Sequence, residues 1–140
     1  MNMYRNDPAP PAPGDGPLQI LIVDDATVVR LYYRQILERE GYAVEEAING
    51  IEGIEKALSS PFDLCIVDVN MPLMDGYAFI KALRREPGTH AMPALMTTSE
   101  ASSEDRQLAV MAGANGYLVK PVPADQLALY VAAMAGRSAK

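Results

Sequence analysis

Apolar and polar positions alternate along this chain in blocks that predict strands and helices in turn. Short, nearly continuous apolar runs are typical of buried strands, and the segments between them carry apolar residues at helical spacing. Five strands alternating with five helices through short loops specify an α/β fold, a doubly wound parallel sheet with helices on both faces. The predicted strands are 18–23, 42–47, 62–67, 94 to 97 or 98, and 116–119.

The predicted helices each have an apolar face. Asp25 is expected to cap the first helix, Gly41 and Gly113 to end the first and fourth, and the last runs from about Pro123 to Gly136. The expected core-facing residues are Val29, Tyr32, Tyr33 and Ile36 in the first helix, Ile51, Ile54 and Leu58 in the second, Phe79, Ile80 and Leu83 in the third, Leu108, Met111 and Ala112 in the fourth, and Leu127, Tyr130, Val131 and Met134 in the fifth.

Length and composition indicate one domain. A chain of 140 residues that is 49% apolar can bury one core and is short for two. Residues 1–17 contain five prolines from Pro8 to Pro17 and predict a disordered tail. The domain is expected to span 18–136, followed by a short tail at 137–140 and no output domain.

Charge limits the classes of partner. Eighteen acidic residues against twelve basic ones give a net charge of −6, which disfavours nucleic acid and anionic membranes. No apolar run approaches the roughly 20 residues of a membrane span, so a cytoplasmic location is expected. The only cysteine, Cys65, is expected to be buried, and His90 to be an exposed loop residue without a phosphotransfer role.

Polar residues follow four of the predicted strands: Asp24 and Asp25, Asp68, Thr98 and Lys120. The carboxyl ends of parallel strands form one crevice, so these side chains should converge there. Three carboxylates with a single lysine favour a divalent cation, and an all-oxygen ligand set favours Mg²⁺ with a phosphoryl ligand. Asp68 can form an acyl phosphate while Lys120 and Thr98 balance the charge.

These residues also resemble a known family. The chain is similar over about 18–136 to the receiver domain of bacterial response regulators in two-component systems, particularly the single-domain CheY-like type. The matching motifs are Asp24-Asp25, the segment DVNMPLMDG at 68–76, Thr98, and Lys120-Pro121. The resemblance implies strand order 2-1-3-4-5 and Asp68 as phosphoacceptor. It further implies Mg²⁺ bound directly by Asp25, through water by Asp24, and by the backbone carbonyl of Asn70.

The resemblance assigns roles to other residues as well. Thr98 and Lys120 are expected to bind the phosphoryl oxygens, and Tyr117 to act with Thr98 as a switch. The peptide bond before Pro121 is expected to be cis.

Two positions are expected to tune the lifetime of the phosphoryl group. Asn70 and Glu100 match family positions that shape access of the hydrolytic water, and both are polar, so self-dephosphorylation should be relatively quick. Val69 and Val122 depart from the chemotaxis pattern beside the output surface. The expected phosphodonor is a histidine kinase or a histidine phosphotransfer protein.

The final helix predicts an interaction surface. Its core stripe leaves Leu129, Ala132 and Ala133 nearer to solvent, with no charged residue from Leu127 to Ala135. The last two helices and the fifth strand are therefore expected to bind a protein target or a second copy. A merely alanine-rich helix remains the alternative.

Other functions of proteins with related folds or chemistry fit the sequence less well or stay open. A haloacid-dehalogenase phosphatase has two aspartates separated by one residue, and a flavin carrier would not place adjacent aspartates at a phosphate site. No nucleotide-binding loop of the Gly-Lys-Ser type is present. A phosphorylation-independent interaction module stays open, as does a phosphorelay shuttle instead of a chemotaxis regulator.

Overall fold

Five parallel strands form one sheet in the order β2-β1-β3-β4-β5, as the resemblance implies. The computed structural model describes residues 16–100 and 102–135. The strands are β1 Gln19–Val23, β2 Ala43–Ala47, β3 Leu64–Asp68, β4 Ala94–Thr98 and β5 Gly116–Val119. The helices are α1 Thr27–Arg39, α2 Gly50–Ser59, α3 Gly76–Arg85, α4 Ser103–Ala112 and α5 Ala124–Met134.

Helices cover both faces of the sheet. Every residue of β3 and β4 is buried, which requires an apolar layer on each side of these strands. Helices α1 and α5 contribute to one core, and α2, α3 and α4 contribute to the other. The doubly wound fold predicted from the sequence is confirmed.

The predicted faces of α2 and α4 are partly wrong. Ile51, Leu58, Leu108 and Met111 are 47%, 54%, 48% and 79% exposed. Small residues instead lie on the buried sides of these helices: Gly50, Gly53 and Ala57 in α2, and Ala109 and Ala112 in α4. At Gly53 an added Cβ would lie 2.8 Å from the ring of Phe79, so the backbone approaches its neighbour too closely for a larger residue.

The other helix faces agree better with the prediction. Tyr33 and Ile36 are buried in α1, although Tyr32 is 40% exposed. The three apolar residues predicted for α3 are buried, as are Leu127 and Val131 in α5. Helix α5 ends at Met134, whereas Gly136, the tail predicted at 137–140 and residues 1–15 of the tail predicted at 1–17 lie outside the described residues.

Asp25 does not cap α1, contrary to prediction. The residue at the cap is Ala26, whose side chain cannot accept a hydrogen bond. The N–H of Ala26 donates to Oδ1 of Asp24 at 2.9 Å, so the first aspartate stabilises this turn and Asp25 stays exposed. Gly41 and Gly113 have φ of +95° and +108°, as expected for residues that end helices.

Cys65 and His90 have the surroundings predicted for them. Cys65 is fully buried, and burial raises the pKa of its thiol to about 12. His90 is exposed in the loop before β4. Within 16–100 and 102–135, none of the helices combines the length and apolar character that a membrane crossing needs.

Arg84 joins the end of α3 to the end of α4 and to the entry of β4. Its guanidinium donates to the carbonyl of Gly113 at 2.8 and 3.1 Å and to that of Met92 at 2.7 Å. It also donates to Oδ1 of Asn115 at 2.9 Å, an oxygen that accepts the N–H of Ala94 as well. One side chain therefore satisfies carbonyls that α4 and the loop before β4 leave without helix or sheet partners.

We expect Arg84→Met to lower the free energy of unfolding by about 2 kcal/mol, because several partly buried acceptors lose their donor. Urea denaturation followed by circular dichroism measures the change. Arg85→Met is the matched control, since Arg85 is exposed in the same helical turn and should change stability little. Equal losses in both variants would contradict the assignment.

Candidate functional site

Three carboxylates meet at the carboxyl end of the sheet. One oxygen each from Asp24, Asp25 and Asp68 can be chosen so that all three lie within 4.8 Å of one another. Asp24 and Asp68 are 1% and 6% exposed, whereas Asp25 is open to solvent. The structure thus brings together the three acids expected from the sequence.

Lys120 is the cation of this cluster. Its Nζ lies 3.0 Å from Oδ2 of Asp24 and 3.1 Å from Oδ1 of Asp68. Its backbone N–H donates to the carbonyl of Thr98, and the peptide bond to Pro121 is cis, as the resemblance implies. Burial alone would lower the pKa of Lys120, but hydrogen bonds and attraction from the two carboxylates raise it.

The carboxyl group of Asp68 has a raised pKa. Burial is the largest cause and repulsion from Asp24 the second, and together they outweigh Lys120 and a backbone hydrogen bond from Asn70. One ammonium therefore does not compensate the crowded carboxylates. An oxygen-rich cluster with uncompensated negative charge fits a hard divalent cation such as Mg²⁺.

A tight turn holds the end of β3 in place. The N–H of Gly76 donates to the carbonyl of Val69 at 2.8 Å, and a Cβ at Gly76 would collide with the carbonyl of Asp68. Asp75 caps α3 by accepting the N–H of Ala78 at 2.8 Å. The fixed start of α3 therefore lies directly against the backbone of Asp68, and only glycine fits there.

Thr98 and Tyr117 both contact the backbone of Glu100. The hydroxyl of Thr98, which is 2% exposed, accepts the N–H of Glu100 at 3.1 Å. The hydroxyl of Tyr117 donates to the carbonyl of Glu100 at 3.0 Å. The guanidinium carbon of Arg106 lies 5.0 Å from the centre of the Tyr117 ring. The backbone of Glu100 therefore connects the two expected switch residues.

The remaining predicted residues lie outside the carboxylate cluster. Asn70 and Glu100 are exposed in the loops after β3 and β4. Leu129 is 67% exposed and Ala133 is also exposed, both on the solvent side of α5.

The sequence analysis did not identify Arg30 as a residue near the site. It is only 8% exposed, and its Nη1 donates to the backbone carbonyl of Asp24 at 2.7 Å. Its spacing in the sequence could have indicated burial, because it lies three residues before Tyr33 and seven before Leu37, on the buried face of α1. An arginine on such a face needs acceptors for its donors.

Comparisons with known proteins agree with this geometry. Residues 20–132 match the family model described as the response regulator receiver domain. Chemotaxis protein CheY4 of Vibrio cholerae is 38% identical, with a TM-score of 0.82 over 85% of this chain and 99% of that chain. The receiver domain of sensor histidine kinase PA1611 from Pseudomonas aeruginosa, with a magnesium ion coordinated in its active site cleft, is 27% identical. Its TM-score is 0.80 over 86% of this chain and 99% of that one.

Among curated proteins, the transcriptional regulatory protein ResD of Bacillus subtilis is 36% identical over 122 residues, or 87% of this chain. The chain spans 50% of the length of ResD and 14% of the gliding motility regulatory protein of Myxococcus xanthus, to which it is 35% identical. These relatives are thus longer proteins that share one matching region.

We expect Asp68→Asn to raise the thermal midpoint by about 3 °C at pH 7.5 without divalent cations, because it removes a charge that burial and Asp24 oppose. The native pKa of Asp68 lies above the unfolded value of about 3.9, so its ionisation destabilises the folded state above both values. This penalty shrinks as the pH falls through the native pKa and is absent below the unfolded one.

The stabilisation should therefore diminish from pH 7.5 towards pH 4, as measured by circular dichroism melts. Added Mg²⁺ should reduce it at pH 7.5 by stabilising the parent protein. Asp125→Asn, at an exposed position in α5, should not raise the midpoint. A lower midpoint for Asp68→Asn at pH 7.5 would contradict the expected repulsion.

Proposed function

Because this chain belongs to the response regulator receiver domain family, a family of phosphoacceptor signalling domains, we propose that Asp68 is its phosphoacceptor. The donor is the phosphohistidine of a histidine kinase or a histidine phosphotransfer protein. One observation carries the proposal: Asp68 lies within the carboxylate cluster and in contact with Lys120.

The chemistry is the transfer of a phosphoryl group between two side chains. A carboxylate oxygen of Asp68 attacks phosphorus, the P–N bond of the donor breaks, and the imidazole leaves with the bonding electrons and takes up a proton. The product is an acyl phosphate. Lys120 and the hydroxyl of Thr98 stabilise the charge on the phosphoryl oxygens, with the ammonium already 3.1 Å from Asp68.

The cluster is suited to hold Mg²⁺. Asp25 would bind the ion directly, Asp24 through water, and Asn70 through its backbone carbonyl. The ion neutralises charge on the phosphoryl group during transfer. The exposure of Asp25 supports its direct role, because Lys120 and the N–H of Ala26 already occupy both oxygens of Asp24.

Loss of the phosphoryl group is a self-catalysed reaction with water in this proposal. Asn70 and Glu100 are exposed and polar in two loops of the site, so they can orient the attacking water. A relatively short-lived acyl phosphate follows from this arrangement.

The switch uses the contacts of Thr98 and Tyr117 with Glu100. When the hydroxyl of Thr98 turns to the phosphoryl group, it gives up the N–H of Glu100. The carbonyl of the same residue holds the hydroxyl of Tyr117, so that contact changes as well. Phosphorylation thereby alters the surface on which Tyr117 lies.

The signal leaves through contact with another protein, not with nucleic acid or a membrane. The exposed apolar residues Leu129 and Ala133 support an output surface formed by α4, β5 and α5. A cytoplasmic location fits a partner of this kind. A target protein or a second copy of the chain is the occupant.

With Mg²⁺ and acetyl phosphate, the parent protein should gain one phosphoryl group, measured by intact-mass spectrometry. Asp68→Asn should abolish the adduct, because the amide oxygen is a much poorer nucleophile. Asp125→Asn is the matched control and should be labelled like the parent. The absence of an adduct on the parent would refute the function, and labelling elsewhere would refute the site.

Leu129→Glu with Ala133→Glu should abolish dimerisation or target binding, because two charges would enter an apolar contact. Light scattering and pull-down measure association, and the rate of phosphorylation at Asp68 should stay unchanged. Leu58→Glu, on an exposed position of α2, is the control. Association that survives both charges would show that this face is not the output surface.

A further inference from the structure

A buried arginine connects the aspartate turn to the edge of the sheet. Besides its bond to the carbonyl of Asp24, Arg30 donates from Nε to Oε1 of Glu46 in β2 at 2.8 Å. Its Nη2 lies 3.3 Å from the hydroxyl of Thr27. The guanidinium therefore bridges β2, the first turn of α1 and the backbone between the two site aspartates.

This bridge is one of the contacts that hold the turn carrying Asp24 and Asp25. Helix α1 has no side-chain cap, because Ala26 occupies the cap position. The backbone N–H of Asp24 donates to the carbonyl of Ala47 at 3.1 Å, which fixes one side of the residue. Arg30 fixes the other side of Asp24 by donating to its backbone carbonyl, which directly precedes Asp25.

Arg30 acts by position more than by charge. Burial raises the pKa of Glu46, but hydrogen bonds from Arg34 and Arg30 outweigh burial and lower it, so Glu46 stays ionised. Glu46 and Glu38 together balance the charges of Arg30 and Arg34. The guanidinium contributes little net positive charge to the carboxylates while it retains its fixed, planar set of donors.

We propose that Arg30 is a positioning residue for the divalent-cation site: it orients the Asp24–Asp25 turn so that both carboxylates face Asp68. This inference rests on the proposed function, since the cation is the one that phosphotransfer requires. Removal of Arg30 leaves the three acids in the chain but releases the carbonyl that fixes the direction of the Asp25 side chain.

Arg34 separates this role from simple stabilisation of the fold. It lies one turn further along α1 and pairs with the same Glu46, with Nε and Oε2 2.6 Å apart. Its other ion-pair partner is Glu38 in the same helix, at 2.7 Å. Arg34→Met therefore removes an ion pair between α1 and β2 without releasing the aspartate turn.

The test is a Mg²⁺ titration of the full chain by isothermal calorimetry, with a thermal melt of each variant. We expect Arg30→Met to raise the dissociation constant about tenfold, as for other groups that orient metal ligands. Arg34→Met should bind Mg²⁺ like the parent. At saturating Mg²⁺, phosphorylation of Arg30→Met by acetyl phosphate should return to the parent rate, because Asp68, Thr98 and Lys120 are intact.

Unchanged Mg²⁺ affinity in Arg30→Met would overturn the inference, as would an equal loss in Arg34→Met. If Arg30→Met does not fold, Arg30→Lys decides, since an ammonium keeps the charge but cannot span both acceptors. A severalfold weaker affinity in that variant supports the role, and an unchanged one contradicts it. A parent protein that binds no Mg²⁺ would refute the proposed function itself, before Arg30 comes into question.

Discussion

The crowding of three carboxylates at one end of the sheet, two of them buried, is the constraint on which the rest of the site depends. The parallel fold creates it, because the carboxyl ends of β1 and β3 are neighbours and each delivers acids to the same crevice. Burial first and repulsion from Asp24 second raise the pKa of Asp68, and Lys120 offsets them only in part. A cation bound among these acids would relieve the cost of ionising Asp68. The crowding that costs stability is therefore the same feature that would favour a cation.

Gly76 and the buried Arg30 hold the backbone in place beside the crowded acids. Gly76 lets the start of α3 touch the carbonyl of Asp68, and Arg30 holds the carbonyl of Asp24. Both act on the backbone beside an acid and make no contact with its carboxylate oxygens. Rigid backbone with free side-chain oxygens is what a site needs if its ligand is to arrive and leave.

The sequence predicted the sheet and the meeting of its acids, because continuous apolar runs identify buried strands and strand ends converge by geometry. It was less informative about helix faces. In α2 and α4 small residues such as Gly53 and Ala109 occupy the buried face, and residues this small contribute almost nothing to an apolar periodicity. Large neighbours such as Met111 dominate the pattern although they are exposed. The burial of Arg30 was not predicted for the opposite reason. A charged side chain is expected to be exposed, and its burial becomes clear only from the contacts that its donors make in the folded structure. The cap assigned to Asp25 was wrong because Ala26 occupies the cap position, and the aspartate that accepts a hydrogen bond at this turn is Asp24.

The two ends of α4 differ in how firmly they are held. At its carboxyl end, Arg84 binds the carbonyl of Gly113 through two nitrogens and fixes the following loop through Asn115. Ahead of its amino end, the Glu100 backbone is held by single hydroxyl contacts from Thr98 and Tyr117. A helix that is held at one end can tilt about that end but cannot move along its axis. A displacement that began at Thr98 would therefore be largest at the first turn of α4 and would fade towards Gly113, where Arg84 holds the helix end.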